Sequence, residues 1–346
     1  MTDDEKYMRR ALELAAHGRG FTSPNPMVGA VVVAEGRIIG EGWHRRCGEG
    51  HAEVNAIASI AEPDRRLLPS ATIYVTLEPC SHYGKTPPCA KLLIDSGVRR
   101  AVVATLDPFP EVAGRGVAML REAGIEVTVG VLEEECRRLN RRFLWAHTHA
   151  EPFVMLKWAQ TADGFIAAEG GTPLRISTPL TAVLMHRERA AVDAILIGAG
   201  TAVADDPSLT VRLWPARRQP MRVVLAPHTA LPSSLKLLSD GRRSLIYTAK
   251  ALIPALSAPE VEWVAIDDRA DDLLPQVLAD LHRRGITSVM IEGGAATLGA
   301  ALAAGLWQEA RVEQSPVAVG TGIAAPAFTA EPRSAATIDG NVISVF

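Results

Sequence analysis

The amino-acid sequence predicts an α/β protein that consists of two domains in tandem. Short apolar, β-branched segments alternate with helical segments along the chain, which is the pattern of layered α/β domains. The length of 346 residues suits about two domains. The alternation restarts after the polar segment from His147 to Pro152, so we place the two domains at residues 1–146 and 151–346.

The first domain begins with a helix that ends near Ala16 and that Asp3 or Asp4 is expected to cap. A short loop that contains Gly36 indicates a hairpin between the next two strands. The Ala-rich segment that begins at His51 has the apolar content of a helix. The elements predicted after the first helix are strands at 28–33 and 37–43, the helix from about 51, a strand at 71–77, a helix at 89–96, a strand at 98–105, a helix at 115–122, a strand at 125–131 and a helix at 133–145.

The second domain repeats the alternation of strands and helices, with softer boundaries. The predicted elements are a strand at 153–159, a helix at 179–191, strands at 194–198, 221–226, 243–248 and 261–266, a helix at 273–284, a strand at 288–292 and a small-residue helix that ends at 304. We assign no element beyond this last helix.

The composition argues against nucleic acid or a membrane as a partner. A formal net charge of −3 gives no basic field for a polyanion, and an aromatic content of 5% is low for a surface that stacks bases. No segment resembles the apolar core of a signal peptide, and no run approaches the ~18 apolar residues of a membrane span. Four cysteines, two of them candidate metal ligands, suit a reducing cytosol. We therefore expect a soluble cytoplasmic protein that acts on a small molecule.

The strongest chemical signal is His51-Ala-Glu53 together with Cys80 and Cys89. One imidazole and two thiolates leave the fourth position of a zinc tetrahedron open for water, as in catalytic zinc sites. Zinc lowers the pKa of that water towards ~7, and Glu53 is placed to shuttle protons. A His-x-Glu segment followed by Pro-Cys-x-x-Cys is the signature of zinc base deaminases. Here eight residues, rather than two, separate the cysteines.

Two other interpretations of these residues stay open at this point. Cys80 and Cys89 could be two buried thiols, because free cysteine packs as a small hydrophobic residue. A closed structural zinc site would instead need Cys47 or His82 as a fourth protein ligand. Such a closed site would indicate a binding or structural protein rather than an enzyme.

The second domain carries a weaker signal at Glu292-Gly293-Gly294, where a strand ends and a helix begins. The exposed amides and dipole of a helix start can hold a phosphate. A plain strand-to-helix turn explains the same residues. No Gly-x-Gly-x-x-Gly motif follows a strand, so a Rossmann domain is not predicted.

Several motifs resemble one known family over nearly the whole chain. The motifs are 24–30, 42–44, 51–53 and 80–89 in the first domain, and 152–157, 161–164, 198–201, 205–212 and 292–294 in the second. They are similar to the deaminase and reductase halves of the RibD family of bifunctional riboflavin biosynthesis proteins, which also has the long spacing between the cysteines. The resemblance implies a cytidine-deaminase-like three-layer α/β/α domain followed by a dihydrofolate-reductase-like α/β domain.

The resemblance also implies two reactions and two cofactors. The first is the Zn²⁺-dependent deamination of 2,5-diamino-6-ribosylamino-4(3H)-pyrimidinone 5′-phosphate. The second is the NADPH-dependent reduction of the ribosyl group to ribityl. In the deaminase half it implies zinc ligands at His51, Cys80 and Cys89, the proton shuttle Glu53, and substrate contacts at Asn25, His44 and Lys85. It gives no role to Cys47, and we expect Cys136 to be part of a helix core.

In the reductase half the resemblance implies an active-site lysine at Lys157. The implied cofactor contacts are Ala159, Arg175, Thr201, Asp205 and Gly294, and the implied substrate contacts are Pro173, Arg189, Leu209, Arg212 and Glu292. Pro173 and Arg175 stand where many members of the family have a serine and a tryptophan. Arg175 could instead pair with the 2′-phosphate of the cofactor.

Three alternatives to two active domains follow from these residues. The departures at Pro173 and Arg175 could mark an active deaminase with an inactive reductase, which NADPH binding would distinguish. A polynucleotide deaminase would need a basic, aromatic groove, which the composition does not favour. The closed zinc site described above is the third. We also expect the chain to form a homo-oligomer.

Overall fold

The computed structural model describes residues 1–83, 87–109, 113–171, 174–267, 269 and 273–346. The chain divides into two compact units, Met1–Ala150 and Glu151–Phe346. Both units combine helices with a sheet that contains parallel strands, as the α/β class predicts. None of the helices in the described part of the chain combines the length and apolar character that a bilayer crossing needs.

The first unit contains six α-helices, one 3₁₀ helix at Glu62–Ser70 and one five-stranded sheet among its described residues. The helices are Asp3–Ala16 (α1), Ala52–Ala58 (α2), Cys89–Ser96 (α3), Arg115–Glu122 (α4), Glu133–Leu139 (α5) and Arg141–His149 (α6). The strands are Gly29–Ala34 (β1), Arg37–Trp43 (β2), Thr72–Val75 (β3), Arg100–Val103 (β4) and Glu126–Val129 (β5). Their order in the sheet is β2-β1-β3-β4-β5, with β1 antiparallel to its neighbours and the rest parallel.

Helices cover both faces of this sheet and make three layers. Alternate residues of β1 point to opposite faces, as the pleat requires. Ala30 and Val32 join the core cluster that contains residues of α2, α3 and α4. Val31 and Val33 join the cluster that contains residues of α1 and α5, including the buried Cys136.

The N-cap of α1 is Thr2 rather than Asp3 or Asp4, so this prediction is wrong by one or two residues. The Thr2 hydroxyl accepts a hydrogen bond from the Glu5 amide at 3.2 Å. The Glu5 carboxylate accepts one from the Thr2 amide at 2.8 Å. This reciprocal pair satisfies two amides of the first turn at once. Asp4 binds Arg100 instead, with both oxygens at 2.8 Å.

The single helix predicted at 133–145 is two helices that meet at Asn140, so this prediction is also wrong. Asn140 leaves the helical conformation, with φ −99° and ψ 16°. Its side-chain oxygen accepts a hydrogen bond from the Met27 amide, and its side-chain nitrogen donates to the Met27 carbonyl, both at 2.8 Å. The break therefore depends on a partner far away in the sequence.

The second unit contains five α-helices, two short 3₁₀ helices at Glu169–Gly171 and Lys250–Leu252, and eleven strands among its described residues. The helices are Pro179–Ala190 (α7), Ala199–Asp205 (α8), Lys236–Ser239 (α9), Leu273–Arg283 (α10) and Ala295–Ala303 (α11). The strands are Phe153–Gln160 (β6), Phe165–Ala167 (β7), Ala194–Gly198 (β8), Met221–Ala226 (β9), Ser244–Ala249 (β10), Val261–Ile266 (β11), Ser288–Ile291 (β12), Glu309–Gln314 (β13), Ile323–Ala324 (β14), Ser334–Ile338 (β15) and Asn341–Val345 (β16).

Nine of these strands form one sheet in the order β11-β10-β9-β8-β12-β6-β13-β16-β15. The seven strands from β11 to β13 are parallel, and β16 and β15 add an antiparallel edge. Two helices, α8 and α9, and the strands β7, β13, β14, β15 and β16 were not predicted from the sequence. Asp339 and Gly340 have φ values of 51° and 85°. This Asp-Gly turn was the available signal for the hairpin of β15 and β16.

Strand β2 approaches helix α2 closely at Gly42. A Cβ atom on Gly42 would lie 2.3 Å from the amide nitrogen of Ala56 and 2.7 Å from the carbonyl oxygen of Ala52. Both are backbone atoms of α2, so no side-chain rotation could relieve the contact. Glycine at this position therefore allows α2 to lie directly against the sheet.

We expect Gly42→Ala to lower the free energy of unfolding of the first unit by about 1–3 kcal/mol, the usual cost of overpacking. Gly299→Ala is the control, because a Cβ atom there meets nothing within 4 Å. It adds a better helix former and should be neutral or stabilising by up to about 1 kcal/mol. Calorimetric unfolding measures both variants. Equal stability of Gly42→Ala and the natural protein would contradict the close packing.

Candidate active sites

Three candidate metal ligands converge at one end of the first sheet. His51 is the N-cap residue of α2, Cys89 is the first residue of α3, and Cys80 lies in the loop that follows β3. Their ligand atoms all lie within 4.8 Å of one another. His51 Nδ1 is 3.6 Å from Cys80 Sγ and 3.3 Å from Cys89 Sγ.

These distances fit a zinc ion. Zinc binds a histidine nitrogen at about 2.0 Å and a thiolate at about 2.3 Å, so tetrahedral neighbours lie about 3.6 Å apart. Within the described ranges, the group that could hold a metal consists of His51, Cys80 and Cys89. Cys47 is exposed and lies outside this group, as does His82. The three-ligand arrangement is that of an open, catalytic zinc site.

The surroundings of Cys80 favour its thiolate form. The Cys89 backbone amide donates a hydrogen bond to Cys80 Sγ at 3.2 Å. Hydrogen bonding from Cys89 and the neighbouring His51 lowers the pKa of Cys80 to about 4, against the opposing effect of burial. Hydrogen bonding with the Cys80 side chain raises the pKa of Cys89, so of this pair Cys80 is the one that offers the thiolate form that binds metal.

Glu53 lies in the first turn of α2 and is 3% exposed. Burial raises the pKa of Glu53 to about 7. A carboxyl group with a pKa near neutrality can both accept and donate a proton under ordinary conditions. Glu53 offers no ligand atom to the metal group, so its carboxyl group is available for proton transfer.

The cavity beside this group has a volume of about 430 Å³ and is lined by Asn25, His44, His51, Glu53 and Cys80. His44 Nδ1 lies 3.2 Å from the Gly50 carbonyl oxygen, which only accepts hydrogen bonds, so we assign its proton to Nδ1. Its Nε2 lies 3.2 Å from Asn25 Nδ2 and then accepts from it. Burial lowers the pKa of His44, which favours this neutral form. The network fixes which way the Asn25 amide points.

The same cavity is also lined by Asp107, Phe109, Phe143 and His147, which were not predicted from the sequence, and by His82, which was considered only as a fourth zinc ligand. The ring centroid of His147 lies 4.8 Å from that of Phe109 and 4.4 Å from that of Phe143. Phe143 and His147 lie four residues apart on α6, whereas Asp107 and Phe109 follow β4, so the fold brings the two pairs together. Lys85, a predicted substrate contact, lies outside the described residues.

Seven of the predicted reductase residues line one cavity of about 780 Å³ in the second unit. They are Lys157, Ala159, Arg175, Thr201, Asp205, Glu292 and Gly294. They come from β6, from the segment before α7, from α8 and from the turn between β12 and α11. Ligands bind at this edge of a parallel sheet, beyond the carboxyl ends of the strands.

The turn between β12 and α11 depends on glycine. Gly294 has φ 72°, in the left-handed region, and a Cβ atom there would lie 3.0 Å from the Thr201 hydroxyl oxygen. A Cβ atom on Gly293 would also lie 3.0 Å from the Thr201 side chain. Two glycines therefore leave the start of α11 open to the cavity.

Glu292 is held by a buried ion pair with Arg189. Arg189 Nε and Nη2 lie 2.7 and 2.5 Å from the two oxygens of Glu292, and Nη1 lies 3.2 Å from the Thr210 carbonyl oxygen. Burial lowers the pKa of Lys157, and the negative charges of Glu292 and Glu313 oppose that effect. The guanidinium group of Arg189 is thus directed at Glu292.

The other predicted substrate contacts are not brought into the cavity. Among the described residues, its lining does not include Arg189, Leu209 or Arg212. Leu209 is buried and Arg212 is exposed. Pro173 lies outside the described residues.

The fold and the two sites define a zinc-dependent deaminase that is joined to a reductase. Residues 1–105 match the zinc-binding region of cytidine and deoxycytidylate deaminases, and residues 152–340 match the RibD C-terminal domain. The second match covers more than half of the chain.

The chain belongs to the RibD family of bifunctional riboflavin biosynthesis enzymes. It is 42% identical to the RibD protein of Aquifex aeolicus over 320 residues, which are 92% of this chain and 89% of the relative. It is 38% identical to RibD of Escherichia coli over 332 residues, which are 92% of this chain and 89% of the relative.

A solved structure resembles the whole fold. It is a diaminohydroxyphosphoribosylaminopyrimidine deaminase/5-amino-6-(5-phosphoribosylamino)uracil reductase of Thermotoga maritima, with a TM-score of 0.89 and 36% identity over 99% of this chain and 97% of that one. The predicted fold class, the deaminase and reductase activities, and the use of zinc and NADPH are thereby confirmed.

We expect Arg189→Met to lower the free energy of unfolding of the second unit by about 3–5 kcal/mol, because it leaves the Glu292 carboxylate buried without its partner. Arg283→Met is the control: the Arg283 side chain is 68% exposed in its pair with Asp280. Such exposed pairs are worth about 0–1 kcal/mol. Urea unfolding followed by tryptophan fluorescence compares the two. If they unfold at the same urea concentration, the Arg189–Glu292 pair does not stabilise the fold.

Proposed function

We propose that residues 1–146 deaminate diaminohydroxyphosphoribosylaminopyrimidine and that residues 151–346 reduce 5-amino-6-(5-phosphoribosylamino)uracil with NADPH. The observation that carries the proposal is the open group of His51, Cys80 and Cys89 beside the buried Glu53. The relative from Thermotoga maritima, which carries both activities in its name, supports the choice of substrates.

In the deaminase, His51, Cys80 and Cys89 would hold the zinc ion, which supplies a Lewis acid that makes water nucleophilic at neutral pH. Glu53 removes a proton from the attacking water. At the same time, the water oxygen forms a bond to the ring carbon that bears the amino group. The same carboxyl group then donates that proton to the neighbouring ring nitrogen. A second transfer through Glu53, from the new hydroxyl group to the amine, accompanies cleavage of the C–N bond. The products are the uracil ring and ammonia.

Asn25 and His44 orient the pyrimidine in this proposal. Because Asn25 Nδ2 donates one hydrogen bond to His44, its oxygen and its second N–H remain for the edge of the ring. The hydrogen bond to His44 thereby fixes the orientation of the Asn25 amide group. Lys85 is proposed to bind the phosphate as a mobile cation.

In the reductase, NADPH supplies a hydride when it is bound. Opening of the ribose ring moves the proton of the glycosidic nitrogen to the ring oxygen and leaves a C=N bond at C1. Hydride adds to C1 while Lys157 donates a proton to the nitrogen. Burial lowers the pKa of Lys157 and so makes it a readier proton donor. Glu292 would keep the Lys157 side chain beside the reacting carbon.

The cofactor would lie against Ala159, Thr201, Asp205 and Gly294, with a phosphate at the open start of α11. Arg175, in the same cavity, is proposed to pair with the 2′-phosphate. Because the guanidinium group of Arg189 binds Glu292, we assign the substrate phosphate to Arg212.

We also propose that Pro173 and Leu209 contact the substrate, as the family resemblance implies. A homo-oligomer and a cytoplasmic location also stay predictions.

One narrower alternative rests on this chain's own residues. Proline at 173 and arginine at 175, where the family often has serine and tryptophan, would suit an active deaminase with an inactive reductase. NADPH oxidation during turnover distinguishes the two possibilities.

We expect the natural protein, given the diaminopyrimidinone substrate and NADPH, to release ammonia and oxidise NADPH. Glu53→Gln should reduce ammonia release by about 10²–10⁴-fold, the usual contribution of general acid–base catalysis. NADPH oxidation should fall equally, because its substrate is no longer made. Lys157→Met is the matched control, which should keep ammonia release and lose NADPH oxidation.

Ammonia release by Glu53→Gln at the natural rate would contradict the role of Glu53. Ammonia release without NADPH oxidation in the natural protein would instead support the inactive reductase.

A further inference from the structure

Glu313, on β13, is a buried carboxylate that the reactions described above do not use. It is 2% exposed and lies opposite Ala159 in the parallel pairing of β13 with β6. Lys157 is two residues before Ala159 on β6, so all three side chains project to the same side of the sheet. Glu313 therefore lies on the same side of the sheet as Lys157 and Ala159, which line the cofactor cavity, but its own side chain is not part of that lining.

Three side chains donate hydrogen bonds to the Glu313 carboxylate. One oxygen accepts from the Thr181 hydroxyl at 2.5 Å and from the Asn341 amide at 2.7 Å. The other accepts from the Ser177 hydroxyl at 2.6 Å. These bonds outweigh the effect of burial and lower the pKa of Glu313, so it remains ionised. Hydrogen bonds to a charged acceptor are about twice as strong as neutral ones.

All three donors are connected to one segment, residues 174–178. Ser177 belongs to it. Asn341 Nδ2 also donates to the Ile176 carbonyl at 3.1 Å, and the Thr181 hydroxyl accepts from the Thr178 amide at 2.9 Å. Glu313 thus fixes the segment directly and through two intermediaries.

The segment forms the wall between two cavities. Residues 174–178 line both the cofactor cavity of about 780 Å³ and a second cavity of about 470 Å³. Arg175 is part of this wall and faces both spaces. A shift of the segment would therefore change the shape of the cofactor cavity and the position of Arg175 together.

We propose that Glu313 is a positioning residue of the reductase, whose carboxylate holds the 174–178 segment in place as the wall against which the nicotinamide cofactor binds. The inference rests on the proposed function, because it takes the larger cavity as the NADPH site. It goes beyond that function because it makes the affinity for NADPH depend on a carboxylate that acts through the 174–178 segment and need not touch the cofactor.

The test compares Glu313→Gln with Glu313→Ala. Glutamine can keep all three contacts, because its oxygen accepts from Thr181 and Asn341 while its amide donates to the Ser177 hydroxyl. Alanine loses all three. We expect the Kd of NADPH, measured by titration calorimetry, to rise by about tenfold or more in Glu313→Ala, which corresponds to about 1.4 kcal/mol. Glu313→Gln should stay within about threefold of the natural protein, a difference of about 0.6 kcal/mol.

Ser177→Ala removes only the direct bond to the segment and should weaken NADPH binding to an intermediate degree. It also keeps the test decisive if Glu313→Ala does not fold. Ammonia release by the deaminase is the internal control, since Glu313 lies in the second unit, and it should be unchanged in every variant.

Each outcome decides a separate question. If the natural protein does not bind NADPH, the proposed reductase function fails. If it binds NADPH and Glu313→Ala and Ser177→Ala bind equally well, the positioning role is wrong. If Glu313→Gln is as weak as Glu313→Ala, the negative charge rather than the hydrogen bonds is what matters, which also contradicts the positioning role.

Discussion

The meeting of one imidazole and two thiols at the end of a sheet is the constraint on which the first unit depends. His51 precedes α2, Cys89 begins α3 and Cys80 follows β3, so three separate elements must end at one point. The close backbone contact at Gly42 sets the distance between α2 and the sheet. The same helix carries Glu53. Ligands and proton shuttle are thus placed by backbone packing rather than by flexible side chains. This arrangement places the buried Glu53 carboxyl group near the candidate metal ligands without making it one of them.

The second unit relies on buried charges that balance one another. Arg189 neutralises Glu292 through two short contacts, and the charges of Glu292 and Glu313 both act on Lys157. A buried charge is tolerated when it is paired and hydrogen-bonded, and each of the two carboxylates meets that requirement in a different way. Glu292 has a bidentate arginine, whereas Glu313 has three neutral donors. As a result, Lys157 is held among opposite charges.

The sequence predicts what depends on local pattern. Helices α3 and α4 were predicted with the bounds that the structure has, because Gly97 and Gly124 end them. The zinc group was also predictable, because its residues lie in short motifs. The break at Asn140 and the strand β13 were missed, since the first depends on the distant Met27 and the second is a polar segment whose neighbours make it a strand. The aromatic wall around His147 and the role of Glu313 depend likewise on tertiary contacts. The resemblance implied a substrate contact for Arg189, whereas its pairing with Glu292, 103 residues away in the sequence, depends on tertiary structure.

Zinc K-edge X-ray absorption spectroscopy of the purified protein tests the central claim, an open metal site with three protein ligands, most directly. The account predicts one zinc ion with a single imidazole nitrogen near about 2.0 Å, two sulfurs near about 2.3 Å, and one further light atom from solvent. A shell with a third sulfur or a second imidazole, and no solvent ligand, would contradict it. That result would mean a closed structural site, in which Glu53 would have no reacting water beside it.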